Sequence, residues 1–166
     1  MPFCSGSECV RYRPGSVDLR GQHELNKNEW MEDRRPTVVV TAAILRRGSE
    51  ILLCHRHPER DHYPDVWDLP GGHVEDGESL PETLARELHE ELGIRIDTRE
   101  DEPWRVFREG DVELSVFLID HWSGELQNRA REEHDEIQWV DPTQLDDLQL
   151  AHPIYESLLS EAARQE

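Results

Sequence analysis

The stretch from Gly71 to Ile94, GGHVEDGESLPETLARELHEELGI, constrains this chain more than any other. Leu80, Leu84, Leu88 and Leu92 recur every four residues, which lays them along one side of a helix and turns that side toward a core. The boundaries are legible too. Ser79 is placed to cap the first turn, Pro81 stands where a first turn tolerates proline, and Glu82 falls three residues after the serine, as a capping box requires. Gly93 closes the run as a left-handed terminating glycine.

Folding alone does not account for the carboxylates beside that stripe. At about 100° per residue, Glu87, Glu90 and Glu91 share an arc of roughly 100°, and Glu91 projects into the leucine stripe itself. Like charges at these spacings repel by about 0.2–0.5 kcal/mol even when exposed. A carboxylate at the edge of a core costs more unless something compensates it. Arg86 can pair with only part of this charge. Two readings follow: a solvated acidic face in an acidic protein, or a cluster neutralised by a hard divalent cation, which carboxylate and carbonyl oxygens suit.

The pattern as a whole is Gly72, five residues, Glu78, seven residues, then Arg86-Glu87-Leu88-His89-Glu90-Glu91-Leu92-Gly93-Ile94. It resembles, at every defined position, the signature of the Nudix hydrolases, the MutT-like enzymes that cleave nucleoside diphosphates linked to another moiety. The resemblance extends more loosely over residues 36–166 and leaves out residues 1–35. It implies an α+β fold, an α/β/α sandwich with a mixed sheet and the box helix packed on it. It also implies Mg²⁺ or Mn²⁺ and attack by water. Glu90 and Glu91 are then the first metal ligands, with the Gly71 carbonyl and Glu87 beside them. Glu87 is the general base, Arg86 orients it through a bidentate pair, and Glu78 forms a structural salt bridge or supports the ligands from behind. Gly72, Glu78 and Gly93 are the structural members of the box.

Outside the box the resemblance points to three more residues. An acid six residues before a tryptophan in the late strand joins the metal in MutT-like enzymes; here Glu133 stands six before Trp139, with Glu136 next, although the run Glu132, Glu133, Asp135, Glu136 also reads as a solvated loop. Arg56, at a strand end, is placed to contact phosphate. His152, ahead of the last helix, is placed against the base or caps that helix.

The marks of ADP-ribose, dinucleoside polyphosphate and coenzyme A subfamilies are missing or partial. What remains favours a nucleoside or deoxynucleoside triphosphate cleaved to monophosphate and pyrophosphate. An ADP-ribose or other nucleotide-conjugate pyrophosphatase, or a non-catalytic nucleotide-binding module, is the alternative.

The rest of the chain is read from its residues. Residues 1–35 form a polar, aperiodic arm with at most a short helix around His23 to Met31. Thr37 to Leu45 and Glu50 to Arg56 read as two strands around a turn at Arg46 to Ser49. Asp65 to Leu69 leads into Pro70-Gly71-Gly72. Trp104 to Arg108 and Val112 to His121 form a hairpin turning at Glu109 to Asp111. Glu125 to Asp135 is a polar loop, Ile137 to Val140 a last strand, and Pro142 to Leu148 a short helix. His152 to Arg164 closes the chain as a helix with Ile154, Leu158, Leu159 and Ala162 inward.

Charge decides which partners are excluded. A formal net charge of −19 repels nucleic-acid polymers and anionic membranes, yet leaves room for a small polyphosphate carried by divalent ions and arginines. The three cysteines lack framework spacing, and Cys4 with Cys9 lacks a second pair to complete a zinc site. His55 and His57 invite zinc only weakly. With no signal core and no membrane-length apolar run, the expectation is a cytoplasmic protein, monomer or homodimer, acting on a small nucleotide.

Overall fold

The computed structural model describes residues 36–97, 102–145 and 147–165; residues 1–35, with the short helix expected there, Cys4 and Cys9, lie outside them. Strand β1 (Val38–Arg47) is a β-branched and alanine run, and a two-residue turn at Gly48-Ser49 returns it into β2 (Glu50–Arg56). The two strands pair antiparallel only beside the turn, Arg46 with Ile51 and Arg47 with Glu50. They then part. β2 takes up β3 (Trp67–Asp68) on one side and β7 (His134–Val140) on the other. β1 pairs with β4 (Gly71–His73) antiparallel and with β6 (Val112–Ile119) parallel, in unbroken register from Val38–Val112 to Leu45–Ile119. β5 (Arg105–Glu109) completes the hairpin on β6. A parallel pair needs a long crossover, and the helix α1 (Leu80–Leu92) lies within the one between β1 and β6.

Alternation along the strands divides the core into two layers. Ala43, Leu45, Leu52 and Cys54 face α1 and meet Leu84, Leu88 and Leu92, all six larger side chains fully buried. Ala42, Ile44, Ile51 and Leu53 face the other way and pack on Leu158, Leu159 and Ala162 of α2 (Ile154–Ala162). Each buried leucine contributes about 1.5–3 kcal/mol, so the leucine stripe alone fixes α1 to the sheet. The result is the expected α/β/α sandwich around a mixed sheet.

Strand ends in β1, β5 and β6 move by one or two residues, and three larger differences from the sequence reading have physical reasons. The last strand begins at His134 rather than Ile137, because His55 pairs with Glu136 and Arg56 with His134 across a bulge. Ladder hydrogen bonds do not require apolar side chains, so a polar His-Asp-Glu start is invisible to hydrophobic patterning. The helix expected from Pro142 to Leu148 is a single 3-10 turn, Pro142–Gln144, whose Asp141 carboxylate accepts from the Thr143 N–H at 2.9 Å. The closing helix starts after His152, and Tyr155 joins its inward face while Ile154 is only partly buried. Among the described residues no helix is long and apolar enough to cross a membrane.

Candidate active site

The site is built on the junction of β4 and α1. Gly71 adopts φ 145°, and a Cβ there would fall on the Thr41 carbonyl of β1. Only glycine lets β4 lie that close and keep this dihedral. At Gly72 a Cβ would take the space of the Glu87 carboxylate. The glycine pair therefore makes the hollow into which α1 projects its acids.

Helix α1 is held at its start by Glu82, whose Oε2 accepts from the Ser79 N–H at 2.9 Å and the Ser79 hydroxyl at 2.6 Å. Gly93 ends it at φ 74°, with its N–H donated to the His89 carbonyl. Within this frame Glu91 is 5% exposed, among the leucines, as its angle on the helix requires. Its Oε2 accepts from the Gly71 N–H at 3.0 Å. Burial drives its pKa well above the ordinary value; the Gly71 hydrogen bond opposes this, and the charges of Glu87, Glu133 and Asp68 add to it. His134 Nε2 stands 3.9 Å from Glu91 Oε1. That imidazole brings no charge at neutral pH, because burial pushes its pKa down to about 4.

Arg86 does not make the expected bidentate pair with Glu87. Its fork closes on Glu78 instead, Nε to Oε1 at 2.9 Å and Nη2 to Oε2 at 3.1 Å. Adjacent residues on a helix diverge by about 100°, so a fork cannot close on its own neighbour, whereas Glu78 returns from the loop ahead of the helix. Arg86 Nη1 then donates singly to Glu87 Oε1 at 2.8 Å and to Glu90 Oε2 at 3.3 Å. Glu78, which also accepts from the Thr83 hydroxyl at 2.8 Å, is held down to a pKa of about 2, mainly by Arg86. Glu87 is raised: its burial outweighs the Arg86 contact, with Glu90 and Glu133 adding repulsion. Glu90 is exposed.

Glu133 stands in the turn just ahead of β7, and its charge adds to the rise of both Glu87 and Glu91. Its Oε2 accepts from Arg60 Nη1 at 2.6 Å, and its carbonyl accepts from the His57 N–H at 2.8 Å. Glu136 is exposed and sits opposite His55 in the ladder. Arg56 points inward: it donates to the carbonyls of Tyr63 (2.9 Å) and His62 (2.8 Å) and to Asp68 Oδ2 (3.4 Å). His55 is bound to Asp135 at 2.7 Å, and His57 Nδ1 accepts from the Glu59 N–H at 3.2 Å.

Among the described residues no three His, Cys, Asp or Glu side chains converge as a ready metal site. Arg86 Nη1 bridges Glu87 and Glu90, while Glu91 is engaged by the Gly71 N–H. The donor set nevertheless fits a hard cation, since Glu87, Glu91 and Glu133 repel one another and the Arg86 fork that faces them is committed to Glu78.

On the opposite face of the sheet lies a cavity of about 660 Å³ lined by Val40, Asp68, Phe107, Leu114, His152 and Tyr155, among others. Asp68 is its half-buried carboxylate, accepting from the Tyr155 hydroxyl at 2.9 Å and the Leu69 N–H at 2.8 Å. Burial raises its pKa, and its charge is among those that raise Glu91. His152 lines this cavity, 3.2 Å from Glu109, and its Nδ1 accepts from the Ile154 N–H at the start of α2 at 3.2 Å. Asp68, Tyr155, His134 and Arg60 were missed in the sequence. Only Asp68, immediately ahead of Leu-Pro-Gly-Gly, carried a signal that could have found it.

A mixed sheet between two helices, with a glycine-lined hollow facing a carboxylate helix, is the architecture expected of a Nudix hydrolase. Residues 35–161 match a family model described as NUDIX domain, and the chain belongs to that family. A nucleoside triphosphatase NudI of Enterobacter sp. (strain 638) is 32% identical over 128 residues, covering 70% of this chain and 89% of that protein. An 8-oxo-dGTP diphosphatase of Proteus vulgaris is 31% identical over 101 residues, 60% of this chain and 89% of that one. Among solved structures, the E. coli ORF135 protein superposes with a TM-score of 0.60 at 32% identity, covering 76% of this chain and 92% of that chain. The MutT NUDIX hydrolase from Burkholderia pseudomallei does so with 0.62 at 25% identity, covering 77% and 96%.

Proposed function

We propose that this protein hydrolyses a nucleoside or deoxynucleoside triphosphate to the monophosphate and pyrophosphate, using Mg²⁺ or Mn²⁺. The observation that carries the reading is Glu91, a carboxylate buried in a leucine core and raised further by the charges of Glu87, Glu133 and Asp68, the last of which lines a nucleoside-sized cavity. The relatives named for nucleoside triphosphates support the substrate class.

Glu90, Glu91 and Glu87, with the Gly71 carbonyl, are the ligands for the divalent ion. When bound it neutralises phosphate charge and lowers the pKa of water. Glu87 is the base: its raised pKa makes it a better proton acceptor than an exposed glutamate, and Arg86 fixes its orientation through one hydrogen bond. Glu78 holds Arg86 from behind. Glu133 is the second acid, available as an added ligand or as the base in place of Glu87. The cavity takes the nucleoside, with Asp68 presenting carboxylate oxygens to base donors and His152 at its rim. Arg56 keeps the 57–66 loop and Asp68 in place. The acidic charge and the cysteine pattern fit a cytoplasmic enzyme acting as monomer or homodimer.

The test is a nucleotide panel assayed for pyrophosphate and phosphate release with Mg²⁺, with Mn²⁺ and with excess chelator. Metal-dependent pyrophosphate release from a triphosphate is the expected result. No turnover of any triphosphate, or full turnover in chelator, overturns it.

A further inference from the structure

The sequence placed the phosphate-binding arginine at Arg56, but the structure commits that guanidinium to two loop carbonyls and Asp68, with its side chain 17% exposed. A different arginine stands at the carboxylate cluster. Arg60 lies on the loop that Arg56 anchors, its side chain 35% exposed, and among the described residues its one hydrogen bond to a side chain is that from Nη1 to Glu133. A guanidinium carries five donors in a plane, so this contact leaves most of the fork open beside the acids. His134, the residue after Glu133, stands 3.9 Å from Glu91, so the Arg60–Glu133 pair lies on the segment that borders the cluster.

We propose that Arg60 is the phosphate-binding arginine of this site and that it latches Glu133 until a polyphosphate draws it away. The inference rests on the triphosphatase reading and names a contact within it. Phosphate oxygens compete with Glu133 for the fork because both are anionic acceptors of bidentate geometry. Arrival of the polyphosphate thus does two things at once: it gains a cation and it frees Glu133 to turn toward the divalent ion. The loop permits this motion of the side chain without its own displacement, since backbone bonds from His57 to Glu133 and from Arg60 to His57, at 2.8 and 3.0 Å, hold it independently.

The latch has a sign that a merely structural ion pair lacks. Equilibrium binding of an imido-bridged nucleoside triphosphate is measured on the full chain in excess chelator, so that ligation of metal by Glu133 does not enter. Arg60→Gln should weaken binding by about ten- to a hundredfold, the weight of charge-assisted hydrogen bonds. Glu133→Gln should tighten it, because Arg60 is released. If the pair only props the loop, both variants weaken binding alike, and that result overturns the proposal, as does an unchanged affinity in Arg60→Gln. Mn²⁺ binding without nucleotide supplies the control for folding: Arg60→Gln should hold the ion at least as tightly as the wild type, since Glu133 is free, and loss of Mn²⁺ binding would assign Arg60 a structural role. Failure of the triphosphatase reading shows separately, in turnover by the wild type.

Discussion

A carboxylate 5% exposed among Leu84, Leu88 and Leu92, answered by a single backbone N–H, is a costly residue for stability. Glu91→Gln keeps the shape and removes the buried charge, so the metal-free variant should melt no lower than the metal-free wild type while losing activity and metal response. A clear drop in its melting temperature would show that Glu91 is a structural acceptor. Glu87→Gln tests the base. Its kcat should fall by about 10² to 10⁴ with KM little changed, the usual weight of general-base catalysis. If Glu87→Gln keeps near-normal kcat while Glu133→Gln loses it, the base is the downstream acid. Gly71→Ala probes the hollow itself. A Cβ against the Thr41 carbonyl at φ 145° leaves no relaxed alternative, and the variant should lose about 2 kcal/mol or more of stability in urea titrations.

At the scale of elements, α1 was legible nearly to the residue because its period, its serine start and its glycine end all pointed to one helix. The strands were legible where branched residues ran together, as in β1 and β2, and lost where the ladder begins on His134-Asp135-Glu136. Partners were harder still. Sequence adjacency suggested that Arg86 serves Glu87, yet helix geometry turns the fork to Glu78, eight residues earlier. The contacts of Arg56 with the Tyr63 and His62 carbonyls were not legible either, because every residue carries a carbonyl and no pattern marks one. Asp68 and Tyr155 meet across 87 positions, a distance only the fold can close. The Arg86–Glu78 bond also makes a prediction for the element. The folded pKa of Glu78, about 2, lies below its ordinary 4.5. Its stabilisation is therefore complete above that ordinary value and disappears as pH falls toward 2. The stability difference between wild type and Glu78→Gln should shrink over that acid range, with Glu87 and Glu91, both raised, acting in the opposite direction in both proteins. A difference that stays constant down to the lowest pH would mean that the pair contributes nothing through charge.

For the whole molecule the governing number is the net charge of −19, from 37 acidic against 18 basic residues. Such a chain repels itself when compact, so any cation should raise its stability to some extent by screening. The site demands more than screening. Glu87, Glu90 and Glu91 share the last turns of α1, and an ion bound there would stabilise the folded state by mass action, in proportion to the logarithm of its concentration over its dissociation constant. Melting temperature measured in millimolar Mg²⁺ or Mn²⁺, against NaCl at matched ionic strength, separates the two effects. Divalent ion should raise the wild-type melting temperature beyond the sodium control. A Glu90→Gln, Glu91→Gln double variant should keep the sodium effect and lose the difference between the salts. If Mg²⁺ and Na⁺ act alike on the wild type at equal ionic strength, the carboxylate helix is a solvated acidic face, and the metal assignment falls with it. If the double variant keeps its divalent response, the ion sits elsewhere on the acidic surface.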